Sequence, residues 1–236
     1  MVYSLLIKHK EQNMETLKLS YNNRKINDLA KSLGYTKKQV VAFDLPAGYT
    51  CPMASVCKSQ ADRATGKITD GKDCKFRCYA ASTESVFSNV RKNRWDNFEK
   101  LNACKSADEM ASLIVASLPA SVKVVRVHSS GDFFSKMYFD AWRKVASQKP
   151  DVTFFGYTKV LPYVKAEKTA NFALVYSMGG KLDNKVTNEP FSLVVKSAVD
   201  TSLPTPCDFD PAGDFAYIMR GESFALTLHG TQPAKA

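Results

Sequence analysis

The apolar positions along this chain change period from one stretch to the next. "VVAFDL" (40–45), "VKVVRVHS" (122–129), "DVTFFGYT" (151–158), "FALVYSM" (172–178) and "FSLVVKS" (191–197) are short runs rich in β-branched and aromatic residues. They have the form of strands buried on both faces. "SKMYFDAWRKVASQ" (135–148) instead sets Tyr138, Trp142 and Val145 on one helical face, and "LPYVKAEKTA" (161–170) predicts a short helix. Further on, "DFAYIM" (214–219) and "SFALTLHG" (223–230) predict two more strands joined by a turn at "RGE". Strands alternating with amphipathic helices predict a parallel sheet covered by helices, here in five or six units. A partial (β/α) barrel of mostly parallel strands suits this layout, as does an open doubly wound sheet.

The upstream part reads differently. "RKINDLAKSLGYTKKQV" (24–40) places Ile26, Leu29, Ala30 and Leu33 at helical spacing and stops at Gly34. Ala30, Gly34 and Val40 also sit where a helix-turn-helix needs a small residue, a turn glycine and a buried aliphatic; a packing helix followed by a turn explains them equally. "TESVFSNVRKNRWDNFEKLNA" (83–103) sets Phe87, Val90, Phe98 and Leu101, with Arg94 among them, along one helical face. Ser106 and Glu109 predict a capping box for a helix carrying Met110, Leu113, Ile114 and Leu118. "SQADRATGKITDGKD" (59–73) is polar and turn-rich, a surface excursion. The expected organisation is an N-terminal helical extension over 1–39, a cysteine-containing partial β/α barrel over 40–230 and a flexible tail over 231–236.

In such folds chemistry gathers at the C-terminal ends of the strands. Four unusual segments fall there: the first cysteines after "VVAFDL", "SSGDF" after "VKVVRVH", "GYTK" after "DVTFF" and "SMGG" after "FALVY". Composition narrows the chemistry. No apolar run is long enough to span a bilayer, and "MVYSLLIKHKEQ" (1–12) has no cleavage site of a signal peptide. The expected location is therefore the cytosol, where clustered thiols bind metal or react rather than form disulfides. A net charge of +10 suits nucleic acid or another polyanion as partner, although the basic residues are spread along the chain as on any solubilising surface. Nothing in the sequence fixes an oligomeric state.

Cys51, Cys57, Cys74 and Cys78 form a C-x5-C pair, a gap of sixteen residues and a C-x3-C pair. Thiolates are soft ligands for zinc and for iron–sulfur clusters. The first pair is wider than a zinc site ordinarily uses, so three readings stand: iron–sulfur ligands, a structural zinc, or packing. Cys104, at a helix end, and Cys207, in a proline-rich loop, are incidental or, for Cys207, a further ligand. Gly131 permits a close backbone approach to a ligand. Asp132 either accepts a hydrogen bond from an amine or hydroxyl or starts the next helix, for which Ser135 is an equal candidate cap. His128 is a ligand-side imidazole or a hydrogen-bonded core residue. Tyr157, Thr158 and Lys159 offer an aromatic face, a hydroxyl and a cation to a substrate, or form a solvated strand end. Ser177, Gly179 and Gly180 border a cofactor or make a plain turn. There is no P-loop, G-x-G-x-x-G or G-x-S-x-G, and three histidines in the chain argue against a histidine-rich metal site.

"TCPMASVC", "CYAA", "VRVHSSGDFFS", "YFDAW" and "FFGYTK" together resemble a phage-encoded family of largely uncharacterised proteins, the gene product eighty-eight family, over about residues 40–230. That resemblance implies a phage origin and the cytosol of an infected bacterium. More remotely, the layout is similar to radical S-adenosylmethionine enzymes, which have a partial barrel and three cysteines after the first strand. The likeness implies a [4Fe–4S] cluster on Cys51, Cys57 and Cys78, with Cys74 fourth or alternate. It implies S-adenosylmethionine lined by Tyr79, Ser130, Gly131, Asp132 and Ser177, with Tyr157, Thr158 and Lys159 facing substrate. The chain departs from the usual C-x3-C-x2-C spacing, has four cysteines rather than three, and carries Asp132 where a glutamate is usual. A rival expectation, from the charge and the helix-turn-helix-like stretch, is a non-enzymatic nucleic-acid or host-protein binder with a structural zinc.

Overall fold

A computed structural model describes residues 16–21, 23–166, 169–206, 213–230 and 232. The N-terminal patch at 1–12, Cys207 and all of the tail but Gln232 lie outside the described residues. The chain begins with strand β1 (Leu19–Ser20), helix α1 (Arg24–Ser32) and β2 (Val40–Phe43). A hairpin of β3 (Ser59–Ala61) and β4 (Ile68–Asp70) follows, then helices α2 (Tyr79–Val86), α3 (Ser88–Ala103) and α4 (Ala107–Ser117). Strands and helices then alternate: β5 (Val124–Val127), α5 (Lys136–Gln148), β6 (Thr153–Thr158), α6 (Leu161–Lys165), β7 (Phe172–Ser177) and β8 (Phe191–Val195). The described chain closes with α7 (Gly213–Arg220) and β9 (Phe224–Thr227).

Seven strands form one sheet in the order β1-β2-β5-β6-β7-β8-β9. β1 is antiparallel to β2, and every other pair is parallel. From β2 onward each strand of this sheet lies beside the previous one in the chain, so the order lacks the reversal that defines a doubly wound sheet. β1 and β9 are its edges among the described residues.

Alternation along each strand divides the core into two layers. Val41, Phe43, Val125, Val127, Phe154 and Leu174 face one side, where Met110, Ile114, Tyr138, Trp142 and Val145 of α4 and α5 pack on them. Val40, Ala42, Val124, Phe155 and Val175 face the other, under Ile26, Leu29 and Ala30 of α1 and Ile218 of α7. Each Val, Leu, Ile, Phe or Met side chain so taken from water contributes about 1.5–3 kcal/mol. α5 starts where Ser135 accepts from the backbone N–H of Tyr138 at 3.2 Å, so Ser135, not Asp132, is its cap. Ser106 caps α4 through the N–H of Glu109; the Glu109 carboxylate reaches back to Lys105 rather than to Ser106, which leaves half a capping box.

Several sequence expectations are corrected. "DFAYIM" lies in α7, not in a strand: Phe215 and Ile218, three apart, both face the sheet, a helical spacing hidden in a short apolar run. The second helix of a helix-turn-helix is missing, because Val40 opens β2 and α1 is held against the sheet. The polar excursion at 59–73 carries the β3–β4 hairpin. α3 buries Arg91, Arg94, Asn97 and Leu101, while Phe87 is exposed; the helix presents a mostly polar face to an interior that supplies partners for it. Among the described residues no helix is long and apolar enough to cross a membrane.

Candidate functional site

The C-terminal ends of the parallel strands open on a cavity of about 190 Å³. Its floor is made by strand side chains: Arg126 of β5, Tyr157 of β6, Ser192 and Val194 of β8, and Leu226 of β9. Its walls are the loops that follow β2, β5, β6 and β9. Cys51, Cys57 and Cys78 all line it, with Tyr79, Ser130, Gly131, Asp132, Tyr157, Thr158, Lys159 and Ser177. Cys74 does not: its sulfur lies 3.9 Å from Ser59 Oγ beside the β3–β4 hairpin. Cys104 sits at the C-terminus of α3, where its thiol donates to the Lys100 carbonyl.

The cysteine loop is built by close backbone packing. Gly48 has φ +69°, and a Cβ there would stand 2.3 Å from the Ser59 carbonyl oxygen, so only glycine lets this turn meet β3. Gly131, at φ +84°, would bring a Cβ to 2.6 Å from Thr50 Oγ1 and 2.7 Å from Leu45 Cβ. The loops after β2 and β5 therefore touch through glycine one residue from Cys51. Cys78 occupies the N-cap position of α2 without a side-chain capping bond, and its own N–H donates to Ser59 Oγ at 3.1 Å.

A buried ionic network fixes these loops to one another. Glu84 Oε1 accepts from the Ala47 N–H at 2.8 Å, from Arg94 Nη1 at 2.8 Å and from Ser130 Oγ at 3.3 Å. Arg94 also donates to the Ala80 carbonyl, and its second arm lies 3.8 Å from Asp44 Oδ2. Asp44 Oδ1 accepts from the N–H groups of Ser129 and Ser130 at 2.7 and 3.0 Å. Burial raises the Glu84 pKa, and Arg94 opposes that rise. The network thus joins the β2 loop that carries Cys51, the helix that starts at Cys78, and the loop after β5. Asp44, Glu84 and Arg94 were not chosen as site residues from sequence; the polar stripe Arg91, Arg94, Asn97 was the available signal, since a helix burying such a face needs anions or carbonyls opposite.

Asp132 is 4% exposed and knits the strand ends together. Its Oδ1 accepts from the Phe133 N–H and from Thr158 Oγ1, both at 2.7 Å, and its Oδ2 from the Lys159 N–H at 2.9 Å. Burial pushes its pKa up to about 6 against these hydrogen bonds. Lys159 commits all three of its donors to β7: the Ser177 carbonyl at 2.9 Å, Ser177 Oγ at 3.1 Å and the Met178 carbonyl at 2.6 Å. Tyr157 donates to Asp214 of α7, and Tyr79 donates to the Ser129 carbonyl at 2.6 Å while its ring packs on His229. Gly179 and Gly180 donate their N–H groups to Asp183. His128 is enclosed by Phe43, Phe133 and Tyr138 and bonds to the Tyr138 hydroxyl at 2.9 Å; burial drives its pKa down to about 3, so it is a neutral core imidazole.

Burial raises the pKa of each cavity thiol, that of Cys57 to about 11. Asp132 and the neighbouring sulfurs raise Cys51 further, while Lys159 pulls Cys57 the other way. At Cys78 the N–H groups of Ala81 and Ala80 and the Arg94 guanidinium oppose the effect of burial. A metal coordinated among them would deprotonate all three outright. Among the described residues no group of three or more His, Cys, Asp or Glu closes on a single ion. A cluster makes a different demand, because it places each thiolate on its own iron. Three soft donors round one cavity fit it by their chemistry.

Fold and site together define an α/β protein with a largely parallel sheet and a thiol-lined cavity at its strand ends. The chain belongs to the Gene product 88 family, whose sequence profile matches residues 14–224. It is similar to the Gene 88 protein of Mycobacterium phage L5, at 29% identity over 180 residues, covering 70% of this chain and 68% of the relative. The Gene 88 protein of Mycobacterium phage D29 gives the same identity and coverage. No solved structure matches the chain.

Proposed function

We propose that this chain is an iron–sulfur protein of the radical S-adenosylmethionine type. A [4Fe–4S] cluster is held by Cys51, Cys57 and Cys78, and S-adenosylmethionine lies beside it in the same cavity. One observation carries the reading: three of the four clustered cysteines line one cavity with Tyr79, Ser130, Gly131, Asp132 and Ser177, and the fourth, Cys74, does not. Three thiolates would leave one iron free for the cofactor. Chain-order pairing of the parallel strands is also the order of a (β/α) barrel, so a partial barrel open at its C-terminal mouth is the architecture we favour. The likeness to radical S-adenosylmethionine enzymes rests on this layout and on the motifs. The rival zinc and nucleic-acid reading keeps the net charge of +10 in its support, but its helix-turn-helix is gone.

When bound, the cluster would supply the electron that splits the carbon–sulfur bond of the cofactor and so begins hydrogen abstraction from a substrate. The residues of the chain do the rest. Gly131 lets the β5 loop close against Thr50, next to Cys51. Tyr79 closes one side, its hydroxyl tied to the β5 loop. Asp132 and Lys159 hold the ends of β5, β6 and β7 in register, and Thr158 completes that link. Val194 and Leu226 add apolar surface to the floor beside Arg126 and Tyr157.

The function is tested by incubating anaerobically reconstituted protein with S-adenosylmethionine and a strong low-potential reductant. Methionine and 5′-deoxyadenosine are expected to form together, dependent on both protein and reductant. Stoichiometric iron and sulfide with neither product, and no change in the cluster's spectrum on adding the cofactor, would leave an iron–sulfur protein of another class.

A further inference from the structure

Arg126 breaks the apolar run of β5 and points to the floor of the cavity. It is 8% exposed, yet among the described residues it makes no hydrogen bond or ion pair, and its Nε is buried with no partner at all. Its neighbours explain why it is tolerated but not why it is there. The guanidinium stands 5.3 Å from the Tyr157 ring, a cation–π contact. The Asp214 carboxylate is engaged by the Tyr157 hydroxyl, and Asp44 by Ser129 and Ser130. Both carboxylates act on Arg126 only from a distance, with the hydroxyls of Tyr79 and Tyr157 also in its field. A buried arginine with five donors and no acceptor is an expensive feature to retain for packing alone.

Other open polar groups share the cavity. Ser129 Oγ is buried without a partner, and Ser192, 4% exposed on β8, makes no side-chain hydrogen bond among the described residues. The other cations there are engaged, Lys159 by Ser177 and Met178 and Arg77 by Asp70. We propose that Arg126 is the anion anchor of the cavity and receives a carboxylate or phosphate group of the molecule bound there. The planar fork of the guanidinium matches either oxyanion with two parallel hydrogen bonds, and Ser192 supplies a further donor. The substrate class is thus a small organic anion whose charged end lies on the floor and whose remainder extends toward the thiols. The proposal rests on the cavity being the working site; it does not require iron.

The test uses the full-length chain, with and without reconstitution, titrated with inorganic phosphate and separately with acetate at constant ionic strength. Binding is followed by calorimetry and by the thermal unfolding midpoint. One or both anions are expected to bind and to raise the midpoint, and Arg126→Gln should weaken that binding by roughly 10- to 100-fold. A response to phosphate alone assigns a phosphate, and a response to acetate alone a carboxylate. Arg126→Lys, which keeps the charge but loses the planar fork, should recover only part of the binding. Equal binding by Arg126→Gln, or no response to either probe, would each overturn the proposal. Iron measured in the same samples separates the two readings: absent iron with intact anion binding defeats the cluster, and the reverse defeats the anchor.

Discussion

Alanine at Cys51, Cys57 or Cys78 is expected to abolish iron–sulfur reconstitution, while Cys74→Ala retains it. The reason is position. The first three thiols line the cavity, and Cys74 lies outside it against Ser59. Loss of one of three thiolates leaves a cluster with two thiolate ligands in a cavity with no further cysteine to take its place. Loss of Cys74 removes a weak contact beside a hairpin. The measurement is iron and acid-labile sulfide per chain, with the visible absorption of the cluster, in anaerobically reconstituted variants. Equal loss in all four would instead mean a closed, four-thiolate site and would remove the free iron on which the proposed chemistry depends. Because burial raises all three thiol pKa values, cluster uptake should also release protons and strengthen as the pH rises.

Arg94→Met is expected to destabilise the fold by about 3–5 kcal/mol, since it strands a buried carboxylate. Glu84 is 1% exposed, and its charge has Arg94 as its ion-pair partner 2.8 Å away. The double variant Arg94→Met/Glu84→Gln should recover part of the loss, because the amide oxygen still accepts from Ala47 and Ser130 without carrying a charge. The contrast is Lys92→Met, which breaks the exposed pair with Asp96 on the same helix and should cost at most about 1 kcal/mol. Urea unfolding of the four proteins checks this through midpoint and slope. A loss at Arg94 no larger than at Lys92 would show that the network does not hold the loops.

Much of the fold was legible from periodicity. β5, α5, β6, β7 and β8 lie where their apolar runs predict, because a strand buried on both faces and a helix with one apolar face leave different traces. The gathering of "SSGDF", "GYTK" and the first two cysteines at one mouth follows from parallel strands β2, β5, β6 and β7. What stayed hidden depended on partners distant in the chain. α3 buries arginines because Glu84, Asp44 and main-chain carbonyls meet them, and no local pattern announces such partners. α7 passes for a strand because a two-turn helix and a strand share short apolar runs. Asp132 and Lys159 read from sequence either as ligand groups or as a helix start and a strand end; in the fold their hydrogen bonds go to neighbouring strand ends. Arg126 carried a signal that went unused: a cation at an inward position of "VVRV" demands an anion or a ligand.

The central claim is that the cavity thiols hold an iron–sulfur cluster. Its most direct measurement is the metal content of the unsubstituted full-length chain, purified and reconstituted without oxygen, with iron, sulfide and zinc determined per chain. The account predicts about four irons and four sulfides per chain with negligible zinc. One zinc per chain with no iron would contradict it.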